Sequence, residues 1–112
     1  MKITSVDVYD CPFDFGWNPI IVRLMTDEGI EGIGEVSLAY GAGSIAAIGM
    51  LKQLGERFLL GADPMRIEDM WNRLFRGTFW GQGGGPVIYG AMSGIDAALW
   101  DIKGKFFGVP AY

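Results

Sequence analysis

The side chains able to do acid–base or metal chemistry in this chain are a few scattered carboxylates. Asp96 and Asp101 lie five positions apart in a stretch of helical spacing, which turns them about 140° away from one another. That separation favours structural or interface roles over a shared proton, and Asp101 is set to pair with Lys105 one turn later. Glu31 and Glu35 fall on one face of an expected strand. Two carboxylates could draw a cation, but without further oxygen ligands they make a weak site. The chain has no histidine, and Cys11 is its single cysteine. Neither a disulfide nor a Cys/His zinc site can therefore be assembled within one chain.

Two glycine-bearing stretches imitate phosphate-binding motifs. Gly41-Ala42-Gly43-Ser44-Ile45-Ala46 matches the dinucleotide fingerprint with Ala in last place, and Asp63 stands at the distance of the ribose-binding acid. The fingerprint needs its glycines directly after the first strand of a βαβ unit. Here several residues separate Glu35 from Gly41, and no strand is expected between the following helix and Asp63, so a loop-to-helix transition is the better reading. Gly81-Gln82-Gly83-Gly84-Gly85-Pro86 lacks the Lys-Ser/Thr that completes a P-loop. It can hold an anion at a helix start, or serve simply as a hinge before a Pro-initiated helix.

Aromatic residues are the remaining candidates. Phe13, Phe15, Trp17, Tyr40, Phe79 and Trp80 all fall in the glycine-bearing breaks. Core filling and ligand gripping are both open to them.

The elements that must position these groups follow from periodicity. Ile3 to Asp10, Ile20 to Thr26 and Ile30 to Glu35 read as three strands. The first has broken alternation, with Ile3, Ser5, Asp7 and Tyr9 on one side and Thr4, Val6 and Val8 on the other. The short Asp27-Glu28-Gly29 turn joins the second and third, giving an antiparallel meander over residues 1–35. Ile45, Ile48, Leu51, Leu54 and Phe58 mark a first helix ending near Gly61. Asp63-Pro64 predicts a helix start, Asp as cap and Pro at the first position, with Ile67, Met70, Trp71, Leu74 and Phe75 on one face. From Pro86, the residues Ile88, Ala91, Met92, Ile95, Ala98, Leu99, Ile102 and Phe106 trace a long stripe ended by Gly108 and Pro110. Strands first and helices over 44–107 give an α+β fold in one domain spanning 1–112.

Apolar residues make up 50% of the chain, a proportion that a small domain does not easily hide. Part of that surface is expected to be covered by another domain or subunit. The net charge of −4, with no basic run, argues against nucleic acid as a partner. No apolar stretch approaches spanning length, and Met1-Lys2-Ile3-Thr4 opens directly on a strand pattern. A cytoplasmic protein without a membrane partner is the expectation.

Four segments carry a family resemblance in one order: Thr26-Asp27-Glu28-Gly29-Ile30-Glu31-Gly32-Ile33-Gly34-Glu35; Gly61-Ala62-Asp63-Pro64 with Trp71; Phe79-Trp80 to Gly85-Pro86; and Ser93-Gly94-Ile95-Asp96-Ala97-Ala98-Leu99-Trp100-Asp101-Ile102-Lys103-Gly104-Lys105. Nearly the whole chain resembles the amino-terminal capping domain of the enolase superfamily, in its mandelate racemase and muconate-lactonizing branch. The wording Leu99-Trp100-Asp101-Ile102-Lys103-Gly104-Lys105 is more similar to acid-sugar dehydratases than to muconate-lactonizing enzymes. Racemase, cycloisomerase and a stand-alone binding or scaffold domain remain the alternatives.

The resemblance implies an enzyme that abstracts the proton beside a substrate carboxylate with a Lys or His base while Mg²⁺ stabilises the enediolate. It places metal ligands and base on a following (β/α) barrel of roughly 250 residues, which these residues do not include. No catalytic or metal residue carries over, and the chain alone is expected to be inactive. What carries over is a lid. The capping loops match Cys11 to Asn18 and Val36 to Gly43, and in the family they close over the barrel mouth and select the substrate's distal end. Trp17, Asn18, Tyr40 and Trp80 are the expected substrate contacts, with Asn18 resembling a substrate-binding amide of sugar-acid dehydratases. The expected partners are a carboxy-terminal barrel, a small sugar-acid carboxylate and further copies of the chain in a homo-oligomer.

Overall fold

A computed structural model describes residues 1–13, 17–36, 38 and 42–112. Strands β1 (Ile3–Asp10), β2 (Ile20–Thr26) and β3 (Glu31–Val36) form an antiparallel sheet in the order β1-β2-β3. Helices α1 (Ser44–Leu54), α2 (Ile67–Gly77) and α3 (Pro86–Phe107) follow, with a π-helical turn at Gly55–Leu59 extending α1. The α+β meander and three helices stand as the periodicity predicts.

Strict alternation on β2 buries Ile20, Val22, Leu24 and Thr26 against the helices. The hydroxyl of Thr26 is satisfied inside the tight turn: it donates to the Ile30 carbonyl at 2.8 Å and accepts the Ile30 N–H at 3.1 Å. On β1 the alternation is broken by a register shift between Ile3 and Ser5. The extra residue moves Ile3 across the sheet, so that it lies opposite Thr26, on the same face as Val6 and Val8, and is fully buried. This corrects the grouping of Ile3 with Ser5, Asp7 and Tyr9.

β3 offers almost no side chain to the core. Gly34 and Gly32 lie opposite Val22 and Leu24, and a Cβ at either would run into the backbone carbonyl oxygens of Gly94 and Ala98 on α3. The helix backbone thus rests directly on the strand. Ile88, Ala91, Met92, Ile95, Ala98, Leu99 and Ile102 fill the space to either side, all buried. A fully buried Ile or Leu contributes about 1.5–3 kcal/mol relative to exposure, so α3 is the centre of the core. Phe106, expected on that stripe, is exposed and stacks edge-on with Phe107 at 5.1 Å.

The first helix buries Ala47, Leu51, Leu54 and Leu59, leaving Ile45 exposed. The five-residue step from Leu54 to Leu59 is what a wider π turn provides, and it adds a buried Leu59 beside the expected Phe58, which packs half-buried against the core. Gly55 opens that turn where a Cβ would sit 2.9 Å from Val6 Cγ1. α2 begins at Ile67, later than Asp63-Pro64 predicts. The Asp63 carboxylate accepts the Met65 N–H at 2.9 Å and so caps a separate turn. Ile67, Met70 and Leu74 are buried as expected, while Trp71 points outward.

Candidate functional site

One end of the molecule gathers the ends of the sheet. The β1–β2 ladder continues past Asp10: the Cys11 N–H donates to the Pro19 carbonyl at 3.0 Å, and the Phe13 N–H to the Trp17 carbonyl at 2.9 Å. These bonds set Trp17 and Asn18 at the base of the first loop. Asn18 Nδ2 donates to Asp10 Oδ1 across 3.4 Å, a long contact that orients the amide without consuming its carbonyl. Val36 closes β3 opposite Ile20, which places the start of the second loop beside the base of the first. Leu38 and Val36 both rest on Gly90 in the first half of α3.

Trp80 occupies a different groove. It lines a cavity of about 450 Å³ with Gln53, Arg57, Phe58 and Phe79. Its ring meets Phe79 edge-on at 4.9 Å. A second groove of about 340 Å³ joins Trp80 to Met50 and the Gly84–Ile88 start of α3. Both are walled by α1, the α2–α3 connection and α3. Trp80 is therefore held by other elements than Trp17 and Asn18. Tyr40 and Gly41 lie outside the described residues, as does Phe15.

Exposure excludes core filling within this chain for the four of these aromatics that are described. Phe13, Phe79 and Trp80 are 75%, 85% and 70% exposed, and Trp17 about half. None fills the core of this domain. Sequence reasoning missed Gln53 and Arg57, which bring an amide and a cation to the side of Trp80; their four-residue spacing on a helix was the available signal.

The carboxylates sort into structural duties. Asp101 Oδ2 accepts the Ile33 N–H at 2.9 Å and the Lys105 ammonium at 2.8 Å, and Lys105 also donates to the Glu31 carbonyl at 2.9 Å. Together the pair caps the open edge of β3. On the outer sheet face Arg23 reaches Asp7 at 2.9 Å and Glu31 at 3.8 Å, with Tyr9 under the guanidinium at 5.5 Å. The hydrogen bond to Asp7, first, holds Arg23 more firmly protonated than usual. Partial burial pushes the Asp96 carboxyl above its ordinary value. Among the described residues no three potential metal ligands converge. The described glycines of these stretches serve helix starts: Gly43 precedes α1 at φ +121° and Gly85 precedes α3 at φ +118°, and the described sheet, which would have to be a parallel βαβ unit, is antiparallel. No helix among the described residues is long and apolar enough to cross a membrane.

Comparison with known proteins gives a consistent picture. The family model described as "Mandelate racemase / muconate lactonizing enzyme, N-terminal domain" matches residues 18–112. A D-galactonate dehydratase of Ralstonia nicotianae is 42% identical over 112 residues, which are 100% of this chain and 27% of that protein. The crystal structure of a member of the enolase superfamily from Salmonella Typhimurium superposes with a TM-score of 0.92 at 58% identity, over 97% of this chain and 28% of the other. An enolase from Pantoea ananatis with bound D-gluconate and Mg superposes at 0.87 with 37% identity, over 99% and 26%. The chain spans about a quarter of the length of these relatives.

Proposed function

This chain belongs to the mandelate racemase / muconate lactonizing enzyme N-terminal domain family, and from that membership we propose that it is the capping and specificity domain of a longer Mg²⁺-dependent acid-sugar dehydratase. The observation that carries the proposal is the match to a D-galactonate dehydratase along the entire chain but only 27% of that enzyme. In the proposed enzyme Mg²⁺ stabilises the enediolate formed when the proton beside the substrate carboxylate is removed. Two of the candidate carboxylates are engaged elsewhere. Asp101 is taken by Ile33 and Lys105, and Glu31 faces Arg23. In this reading the metal ligands and base belong to the remainder of the enzyme, and residues 1–112 act as one inactive cap.

The cap's contribution is recognition and exclusion of water. Asn18, tethered to Asp10 through one amide hydrogen, keeps a carbonyl and a second N–H for a hydroxyl of a polyol chain. Trp17 walls the same entrance, Tyr40 serves from the second loop, and Trp80 contributes from the glycine-rich connection. A site that hydrogen-bonds substrate hydroxyls discriminates strongly against analogues lacking them. The single cysteine, exposed and free, suits a cytoplasmic enzyme, and the proposal includes homo-oligomeric assembly.

The test is dehydration of an acid-sugar panel by the full-length enzyme and by its Asn18→Ala variant. The variant should lose kcat/KM for polyhydroxy acids while its Mg²⁺ affinity stays nearly intact. Unchanged kinetics across the panel remove Asn18 from the site, and no turnover by the full-length enzyme on any acid sugar removes the dehydratase assignment.

A further inference from the structure

We infer that the face of α3 bearing Trp100, Lys103 and Phe107 is the docking surface for the polypeptide that follows Tyr112 in the longer enzyme, an inference that rests on the capping-domain proposal above. The three residues recur at helical spacing on the side of α3 turned away from the sheet, whose own side is filled by Ile95, Ala98, Leu99 and Ile102. Trp100 is 42% and Phe107 60% exposed. Aromatic side chains of this size bury roughly 150–250 Å² each when covered. The two line one groove, and apolar surface gathered there gains by being covered.

The path of the chain identifies the occupant. Gly108 adopts φ +68° and ends the helix, with the Val109 N–H donating back to the Gly104 carbonyl at 2.9 Å. Gly104 has no side chain to obstruct this return. A Cβ there would lie 2.7 Å from the Val109 oxygen. Residues Val109 to Ala111 are thereby laid along α3, where they form one wall of a groove of about 140 Å³ whose other wall is Trp100, Lys103 and Phe107. The chain leaves the domain along the patch itself. In relatives of which this chain covers 27–28% as the amino-terminal part, the remainder departs from this point, and a short tether gives it a high effective concentration at the groove.

The chemistry of the occupant is set by the groove. Lys103 Nζ stands 4.9 Å above the Trp100 ring, so its charge is already favourably placed, and the side chain lines this groove on one side and a groove with Glu68 and Asp69 on the other. A segment with apolar side chains for the two rings and a carbonyl or carboxylate for Lys103 fits.

Hydroxyl-radical footprinting read by mass spectrometry tests this on the full-length enzyme and on the 112-residue chain. Labelling of Trp100 and Phe107 should be lost in the full-length enzyme and present in the isolated chain, and Phe107→Asp should restore Trp100 labelling in the full-length enzyme. Phe107 is exposed here, so the variant does not depend on core packing. Equal labelling in both proteins overturns the inference. Protection in the isolated chain that appears only with dimer in sedimentation also overturns it, and makes a second copy the occupant. The dehydration assay separates the two proposals: protection without turnover leaves the docking surface and removes the activity, and turnover with Trp100 fully labelled does the reverse.

Discussion

Asp101 accepts the backbone N–H of Ile33 at 2.9 Å, so a side chain near the end of α3 completes the hydrogen bonding of an edge strand far away in sequence. The same carboxylate oxygen holds Lys105 at 2.8 Å, and Lys105 covers the neighbouring Glu31 carbonyl. An open row of backbone groups invites pairing with another chain. Here the helix covers two groups of that row, the Ile33 N–H and the Glu31 carbonyl.

Asp101→Ala should therefore destabilise the domain by about 1.5–3 kcal/mol, the range for a hydrogen bond to a charged group. Lys105→Met should cost less, because the carboxylate keeps its backbone partner. The double variant should cost less than the sum of the two. Urea titrations of the four proteins measure this coupling, and strict additivity would show that the two side chains act independently.

The glycines of β3 and α1 should respond oppositely to alanine. Gly34→Ala forces a Cβ into the Gly94 carbonyl, and overpacking against backbone has no flexible atom to yield; losses above about 3 kcal/mol, or failure to fold, are expected. Gly49 lies within α1 with nothing inside 4 Å of its would-be Cβ, and Gly49→Ala should stabilise by about 0.5–1 kcal/mol. Thermal melting of both variants checks the contrast, which fails if Gly34→Ala melts with the parent.

Asp96 gives a pH prediction. Burial raises its pKa in the folded state, so the folded chain binds this proton more tightly than the unfolded one. The carboxylate accordingly costs stability that grows as pH rises from the unfolded value of about 3.9 through the folded value, and is fully present at neutral pH. Asp96→Asn should raise Tm at pH 7, with the advantage shrinking as the pH falls through the carboxylate range. A lower Tm for the variant at pH 7 would mean that the charge is used by a partner group.

Trp80→Ala separates recognition from packing. With 70% of the residue exposed, its removal should change stability by no more than about 0.5 kcal/mol while altering the acid-sugar preference of the full-length enzyme. An unchanged preference would leave Trp80 as surface.

What the sequence revealed, it revealed through period. Ile20, Val22 and Leu24 alternate without interruption, and Ile88 to Ile102 keeps helical spacing, so β2 and α3 could be read residue by residue. Ile3 could not, because a bulge is a property of two paired strands and leaves only a broken alternation in one. Leu59 was missed beside Phe58 for a related reason: a π turn changes the period partway through an element. Asp63 carries the residue type of a helix cap, and its carboxylate spends that ability on the preceding turn. At the candidate site, the pairing of Asp101 with Lys105 was legible from their spacing. Its engagement with Ile33 required knowing that α3 lies on β3. Trp17 and Trp80 could be named from their types, but their placement in separate parts of the fold depends on packing between elements distant in sequence.

The bare seat of α3 on β3 also restricts which length changes the domain can survive. Sliding β3 by one position would drive the side chain of Ile33 or Glu35 toward the carbonyls that Gly32 and Gly34 now meet. One inserted residue inside the strand would thus be rejected outright. In the exposed Asp27-Glu28-Gly29 turn, where Gly29 has open space around it, the same insertion would meet no helix backbone and would strain only the Thr26–Ile30 hydrogen bonds across the turn.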